Sequence, residues 1–365
     1  MKNGVLVCAG VSAKKNIGDY IQSLASQLFF ESIDSYIERE KLKEYSSQEP
    51  TKLIIHGWFM HNPEQWPPSS DIKPLITSLH IVPQMAEGML QAQGIAYFKK
   101  HQPIGCRDYG TVQLLENHSI EAYYSSCLTL DLGLKYMAPK RGDQLIFVDP
   151  YFEHIKNSDG KFSFTIIGKA LASWIKYSRS VAKLSPRFNF DSNTSLKKNF
   201  AGWMSRSLAA AAFIRTYSSL FAIEELVQAT YICHTIQQRD FDEQSKFAYA
   251  EELIRRYAAA RLVVTSRIHC ALPCLGVETP VLFVSSQNLE TSKKAIRSLG
   301  RFDGITNLMR TAHYDSFALT TDDKEVRKAS QKGWSASALV GFNKRDFEKY
   351  RDALIEQCRK FAEND

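Results

Sequence analysis

Along the first third of the chain, compact apolar runs alternate with stretches whose apolar residues fall at helical spacing. Val5–Ala9 is such a run and leads into a Gly/Ser/Lys/Asn turn. From Tyr20 to Phe30, Ile21, Leu24, Ala25 and Leu28 mark one face of a predicted helix. Leu53–Ile55 predicts a second buried strand, ending at His56-Gly57-Trp58, and Pro67-Pro68 with two serines marks a loop. Arg107–Gly110 precedes a helical run through Leu115, and Ala122–Leu128 returns as a strand. This β-α-β rhythm predicts an α/β fold with a doubly wound parallel sheet.

A Pro/Gly/basic turn at Pro139–Gly142 divides the chain, and Gln144–Val148, ending in Asp149-Pro150, predicts the first strand of a second α/β unit. The expected domains are 1–139, 140–342 and a terminal amphipathic helix, 343–365, that docks on either one. Its apolar face is Phe347, Tyr350, Leu354, Cys358 and Phe361. Residues 151–200 are weakly periodic, rich in Ser, Asn and Lys, and suggest no function. Helix dominates Leu208–Gln228. Tyr231–His234 predicts a strand, Ala248–Ala260 a helix, and Arg261–Val264 and Pro280–Val284 two more strands. No internal repeat is visible.

A length of 365 residues fits about two domains, and 44% hydrophobic content is ordinary for a globular protein. Lys and Arg number 46 against 39 Asp and Glu, a net +7 with both signs interspersed. That balance favours an anionic ligand, or weak attraction to an anionic membrane surface, over nucleic acid. The seven cysteines form no C-x-x-C pair, so reduced thiols and a cytoplasmic location are expected. Val5–Val11 is short for a signal peptide and reads better as a buried strand. Leu208–Ile223 holds Arg215 and is too short and polar to span a bilayer.

The sharpest chemical signal is Leu262–Leu272, where an apolar strand runs into Thr265-Ser266, an expected N-cap, and a helix opened by Arg267 and His269. A helix N-terminus attracts anions, arginine offers a fork to phosphate or carboxylate, and histidine moves protons near neutral pH. Ordinary capping beside a packed histidine explains the same residues equally well. In Ile104-Gly-Cys-Arg107-Asp108, Asp108 is an expected N-cap and Arg107 is placed to face an interdomain cleft; a surface arginine is the plainer alternative. Asn16-Ile-Gly-Asp19 is a turn with a capping carboxylate, without the pattern of a phosphate loop. His56-Gly57-Trp58 with His61 and Trp66 is a polar-aromatic loop that suits a sugar face or simple packing. No histidine spacing suggests a metal site.

Taken together and in order, four segments resemble the polysaccharide pyruvyl transferase family: Asn16–Leu24, His56–Pro63, Ile104–Asp108 continuing to Ser126–Thr129, and Thr265–Leu272. The resemblance implies two Rossmann-like domains in a GT-B-like pair with a cleft between them. It implies transfer of pyruvate from phosphoenolpyruvate onto two hydroxyls of one glycan sugar, forming a ketal. It also implies that His269, Arg267 and Arg107 form the catalytic set. Ser266, Ile268, Asn16, Gly18, Asp19, His56, Trp58, Asp108 and His234 are the expected substrate contacts, with Lys293 or Lys294 candidates for a further lysine. Phosphoenolpyruvate is then the donor, without a cofactor or metal, the acceptor is a glycan or lipid-linked oligosaccharide, and the protein is expected in the cytoplasm or at the inner face of the cytoplasmic membrane. A GT-B glycosyltransferase using a nucleotide-sugar and a non-catalytic glycan-binding relative are the alternatives.

Overall fold

The computed structural model describes residues 1–8, 15–152, 164–188, 200–236, 242–286 and 302–364. The first half supplies strands β1 (Lys2–Val7), β2 (Lys15–Asn16), β3 (Ser35–Glu38), β4 (Thr51–Phe59), β5 (Ile72–Ile81), β6 (Ile104–Cys106) and β7 (Ala122–Tyr124). The second supplies β8 (Leu145–Val148), β9 (Thr230–Ile232), β10 (Thr235–Ile236), β11 (Leu262–Thr265), β12 (Val281–Ser286), β13 (Arg310–Asp315) and β14 (Ala318–Thr320).

Two six-stranded sheets result, ordered β3-β1-β4-β5-β6-β7 and β9-β8-β11-β12-β13-β14. All pairs are parallel except β13 with β14. With β2 and β10 set aside, the two halves share the order 2-1-3-4-5-6, a topological repeat that the sequence does not reveal. β2 and β10 pair antiparallel into a ribbon that joins the halves. These are two Rossmann-like units. The strand order reverses between β1 and β4, and between β8 and β11, where open α/β sheets bind their ligands beyond the carboxyl ends.

Alternation along each strand decides which core it serves. Val5, Val7 and Ile54 of the first sheet join Ile146, Val148, Val263 and Val281 of the second in one cluster. Their neighbours Leu6, Leu53 and Ile55 face a separate core in the first half, and Leu145, Phe147, Leu262 and Val264 one in the second. The shared cluster is completed by Ile21 and Leu24 from helix α1 (Gly18–Gln27), and by Cys270 and Leu272 from helix α2 (Ile268–Gly276). The halves therefore meet across packed apolar surface.

Several expected elements are adjusted. The strand expected over Ala122–Leu128 stops at Tyr124, because Ser126 turns the chain with φ +63 and Leu128–Leu132 winds into a 3-10 helix. β9 ends at Ile232, so His234 follows the strand. The weakly periodic stretch holds helices Phe164–Lys176 and Ser178–Leu184. The terminal helix, Glu348–Glu363, sinks Leu354 and Cys358 into the shared core, and Lys52 Nζ donates to Ala362 O at 2.8 Å. It lies on the first half.

Candidate active site

Arg107 follows β6 and is 0% exposed, which sets aside the plainer reading of a surface arginine. Its Nη1 lies 3.2 Å from Nε2 of His269, in the first turn of α2. Its Nε and Nη2 have no hydrogen-bond partner. The carboxylate of Asp108 is 4.0 Å from Nε. Two unsatisfied guanidinium donors buried together are costly until something anionic meets them.

Arginine can only donate, so Nε2 of His269 accepts in this contact, and Nδ1 is the ring's other nitrogen. Gln22, on α1, places its Nε2 3.3 Å from that Nδ1. The same amide nitrogen lies 3.5 Å from Asp19 Oδ1, so it sits between the ring and a carboxylate. Two glycines make room for this arrangement. A Cβ on Gly18 would stand 2.9 Å from His269 Cβ and 3.1 Å from Nδ1, while one on Gly57, where φ is +88, would stand 2.8 Å from Gln22 Oε1. What the His56-Gly57-Trp58 motif contributes here is thus its glycine.

Asp108 caps the following helix, Tyr109–Glu116, accepting from Thr111 N at 2.9 Å. Its other oxygen meets His80 Nδ1 at 2.7 Å. Burial pushes this carboxyl up, but His80, Arg107 and the Thr111 N–H outweigh that and hold it below its ordinary range. A cavity of about 290 Å3 lies against His80 and Asp108.

A second constellation gathers on Asp149, directly after β8 at the reversal of strand order. Its Oδ2 accepts from Arg267 Nε at 2.8 Å and from His234 N at 3.2 Å. Its backbone carbonyl accepts from the Ser266 hydroxyl at 2.6 Å. Ser266 therefore does not cap α2 as expected. Arg267 occupies the N-cap position, and Thr265 Oγ1 accepts from its N–H at 3.0 Å. The Arg267 side chain is 45% exposed. The Ile17 N–H donates to His234 O at 2.9 Å, tying the Asn16–Gly18 turn to this second group.

Asn16 Oδ1 accepts from Gly18 N at 3.1 Å, and Asp19 lies inside the first turn of α1, so the asparagine closes the turn in place of the expected carboxylate. Asp19 Oδ1 is 3.8 Å from Arg39 Nη1, and Arg39 lies over the Trp58 ring at 5.3 Å. Ile268 belongs to the shared core. His56 is buried with neither ring nitrogen partnered, and burial, reinforced by Arg39, lowers its pKa to about 3. His234 Nε2 meets the Tyr257 hydroxyl at 2.7 Å, and burial lowers its pKa to about 4. Lys293 and Lys294 lie outside the described residues.

Sequence reasoning missed Gln22, His80 and Asp149. Of these only Asp149 carried a signal, as the acid that closes an apolar strand. Among the described residues, no group of three or more His, Cys, Asp and Glu could hold a metal ion, and no helix is long and apolar enough to cross a membrane.

Fold and site define a two-unit Rossmann-like α/β protein in which each half contributes one member of a buried arginine–histidine contact. The family model for polysaccharide pyruvyl transferase matches residues 16–288, a span that includes Arg107, Asp149, Arg267 and His269. The chain belongs to the polysaccharide pyruvyl transferase family. No curated protein and no solved structure matches it.

Proposed function

We propose that this chain transfers pyruvate from phosphoenolpyruvate onto two hydroxyls of one glycan sugar, leaving a cyclic ketal and inorganic phosphate. The observation that carries the reading is the Arg107–His269 contact, in which a buried guanidinium keeps two donors unsatisfied beside a histidine nitrogen that can take a proton. A donor with about three negative charges satisfies such nitrogens through charge-assisted hydrogen bonds. Arg267, held by Asp149 at a helix N-terminus, offers a second guanidinium for the same anion.

The chemistry requires a proton on the methylene carbon of the donor, C3, while a sugar hydroxyl adds to C2 and loses its own proton. A second hydroxyl of the same sugar then replaces phosphate at C2; the phosphate leaves with the C–O bond electrons and takes up the proton that this hydroxyl loses. His269 is the group that moves the proton, and Arg107 and Arg267 hold the phosphate and carboxylate as charge shifts onto the leaving group. Asp108 and Asp19 are both engaged, by His80 and Arg39, and act as positioning residues. The acceptor in this reading is a lipid-linked glycan at the inner face of the cytoplasmic membrane.

The test is incubation with phosphoenolpyruvate and a panel of galactosyl, glucosyl and mannosyl acceptors. The expected product is heavier by pyruvic acid less water, with one phosphate released per ketal. A thermal shift should accompany phosphoenolpyruvate. Stabilisation by UDP or GDP but not phosphoenolpyruvate would move the chain to nucleotide-sugar chemistry, and stabilisation by glycan alone to a binding role.

A further inference from the structure

Two neighbouring helices of the second half carry large apolar side chains that no other part of the described protein covers. In helix Phe164–Lys176 the buried face is Ile166, Ala170 and Ser173. Opposite it lie Phe164, Gly168, Leu171 and Ile175, spaced i, i+4, i+7 and i+11, which is one stripe of an α-helix. Phe164 is 86% and Ile175 81% exposed. A Cβ on Gly168 would meet nothing within 4 Å. Helix Phe200–Tyr217 adds exposed Phe200, Trp203 and Met204 at its start. An edge contact of Trp203 with Trp174, 5.3 Å between ring centres, joins the two helices into one face.

The segments that carry this face hold charge of a single sign. Across 164–188 and 200–217 every charged side chain is Lys or Arg, with Lys176, Arg179 and Lys183 exposed, although acids and bases are interspersed in the chain as a whole. Pairing the face with a second copy of itself would bring these cations together, which opposes a symmetric dimer. Exposed aromatic and aliphatic anchors on segments that hold lysines and arginines but no acids suit the headgroup boundary of an anionic bilayer.

We propose that this two-helix face is a membrane-docking surface. Phe164, Leu171, Ile175, Phe200 and Trp203 enter the boundary between headgroups and acyl chains. Lys176, Arg179 and Lys183 meet lipid phosphates while their stems lie along apolar surface. The purpose of docking rests on the lipid-linked acceptor proposed above. Its test uses neither donor nor sugar, so failure here and failure of the transfer reading are separate results.

Full-length protein is sedimented with phosphatidylglycerol vesicles and, in parallel, with phosphatidylcholine vesicles. Apparent affinity should be higher for the anionic vesicles by on the order of tenfold and should fall as salt is added. The triple variant Phe164→Ser, Ile175→Ser, Phe200→Ser changes only exposed side chains, so it should melt like the parent and lose on the order of tenfold in binding to phosphatidylglycerol. The triple variant Lys176→Glu, Arg179→Glu, Lys183→Glu should lose the preference for anionic lipid. Absence of binding to phosphatidylglycerol, or equal binding by the serine variant, would overturn the proposal. A dimer in sedimentation velocity that the serine variant abolishes, with vesicles ignored by both proteins, would assign the face to self-association instead.

Discussion

Arg107 and His269 stand 162 residues apart in sequence and 3.2 Å apart in space, one at the end of a strand in the first sheet and the other on a helix of the second half. The two should fail differently. Arg107→Ala removes a ground-state contact to the donor, so both the thermal shift induced by phosphoenolpyruvate and turnover should disappear. His269→Ala should keep much of that shift while turnover per folded molecule falls by roughly 10²–10⁴-fold, the worth of a positioned acid or base. A His269→Ala protein that melts early but turns over normally when folded would return the residue to a packing role.

Gly18 sets where the imidazole stands. A methyl there collides with His269 Cβ and crowds Nδ1. Gly18→Ala should lower kcat by roughly 10-fold or more while donor KM changes little, since small displacements of a reacting group are costly. Equal loss in both parameters would count against a positioning role, and so would a loss that tracks the melting temperature.

Arg267 meets Asp149 through Nε, a donor that lysine lacks. Arg267→Lys should raise donor KM by roughly tenfold although the charge is kept. The side chain is half-exposed, so the fold should lose no more than about 1 kcal/mol. Steady-state kinetics beside thermal melting checks both, and unchanged donor KM would take Arg267 out of the site.

Acid should destabilise the fold through two histidines. His56 and His234 are held neutral by burial, at pKa values of about 3 and about 4, and in the unfolded chain they titrate near 6.5. Below pH 6.5 the unfolded state binds more protons, so stability falls with pH at about 1.4 kcal/mol per unit per histidine until the folded values are reached. His56→Leu removes two unpartnered ring nitrogens and should flatten melting temperature against pH over that window. An unchanged slope would mean that His56 is not buried in solution.

Asp131 should act in the opposite direction. It is fully buried, neither carboxyl oxygen has a partner, and burial pushes it well above the ordinary carboxylate range. The folded state keeps a proton that the unfolded chain releases near 3.8, so this residue costs stability as pH rises from there. Asp131→Asn should therefore raise the melting temperature more at pH 8 than at pH 4. A gain independent of pH would refute the ionisation argument.

Much of the second site group could be read from order alone. Ser266, Arg267 and His269 follow an apolar strand, and a strand end in an open α/β sheet is where ligands gather. The roles within that motif could not be read. Ser266 looks like a cap and instead bonds to the Asp149 carbonyl, while Ile268 looks like part of a binding motif and packs in the core. His56 and Trp58 drew attention as chemistry-bearing types, yet the close neighbour of Gln22 is the glycine between them.

Hydrophobic periodicity was enough for two α/β units, because a strand buried on both faces and an amphipathic helix each leave a local pattern. The ordered motifs were enough for the family. Tertiary structure alone decided that Arg107 meets His269, that His80 holds Asp108 and that Asp149 anchors Arg267. Such contacts depend on how two sheets pack and where each strand ends, and those follow from the whole shared core. A single buried polar residue leaves no periodic trace in the chain that carries it.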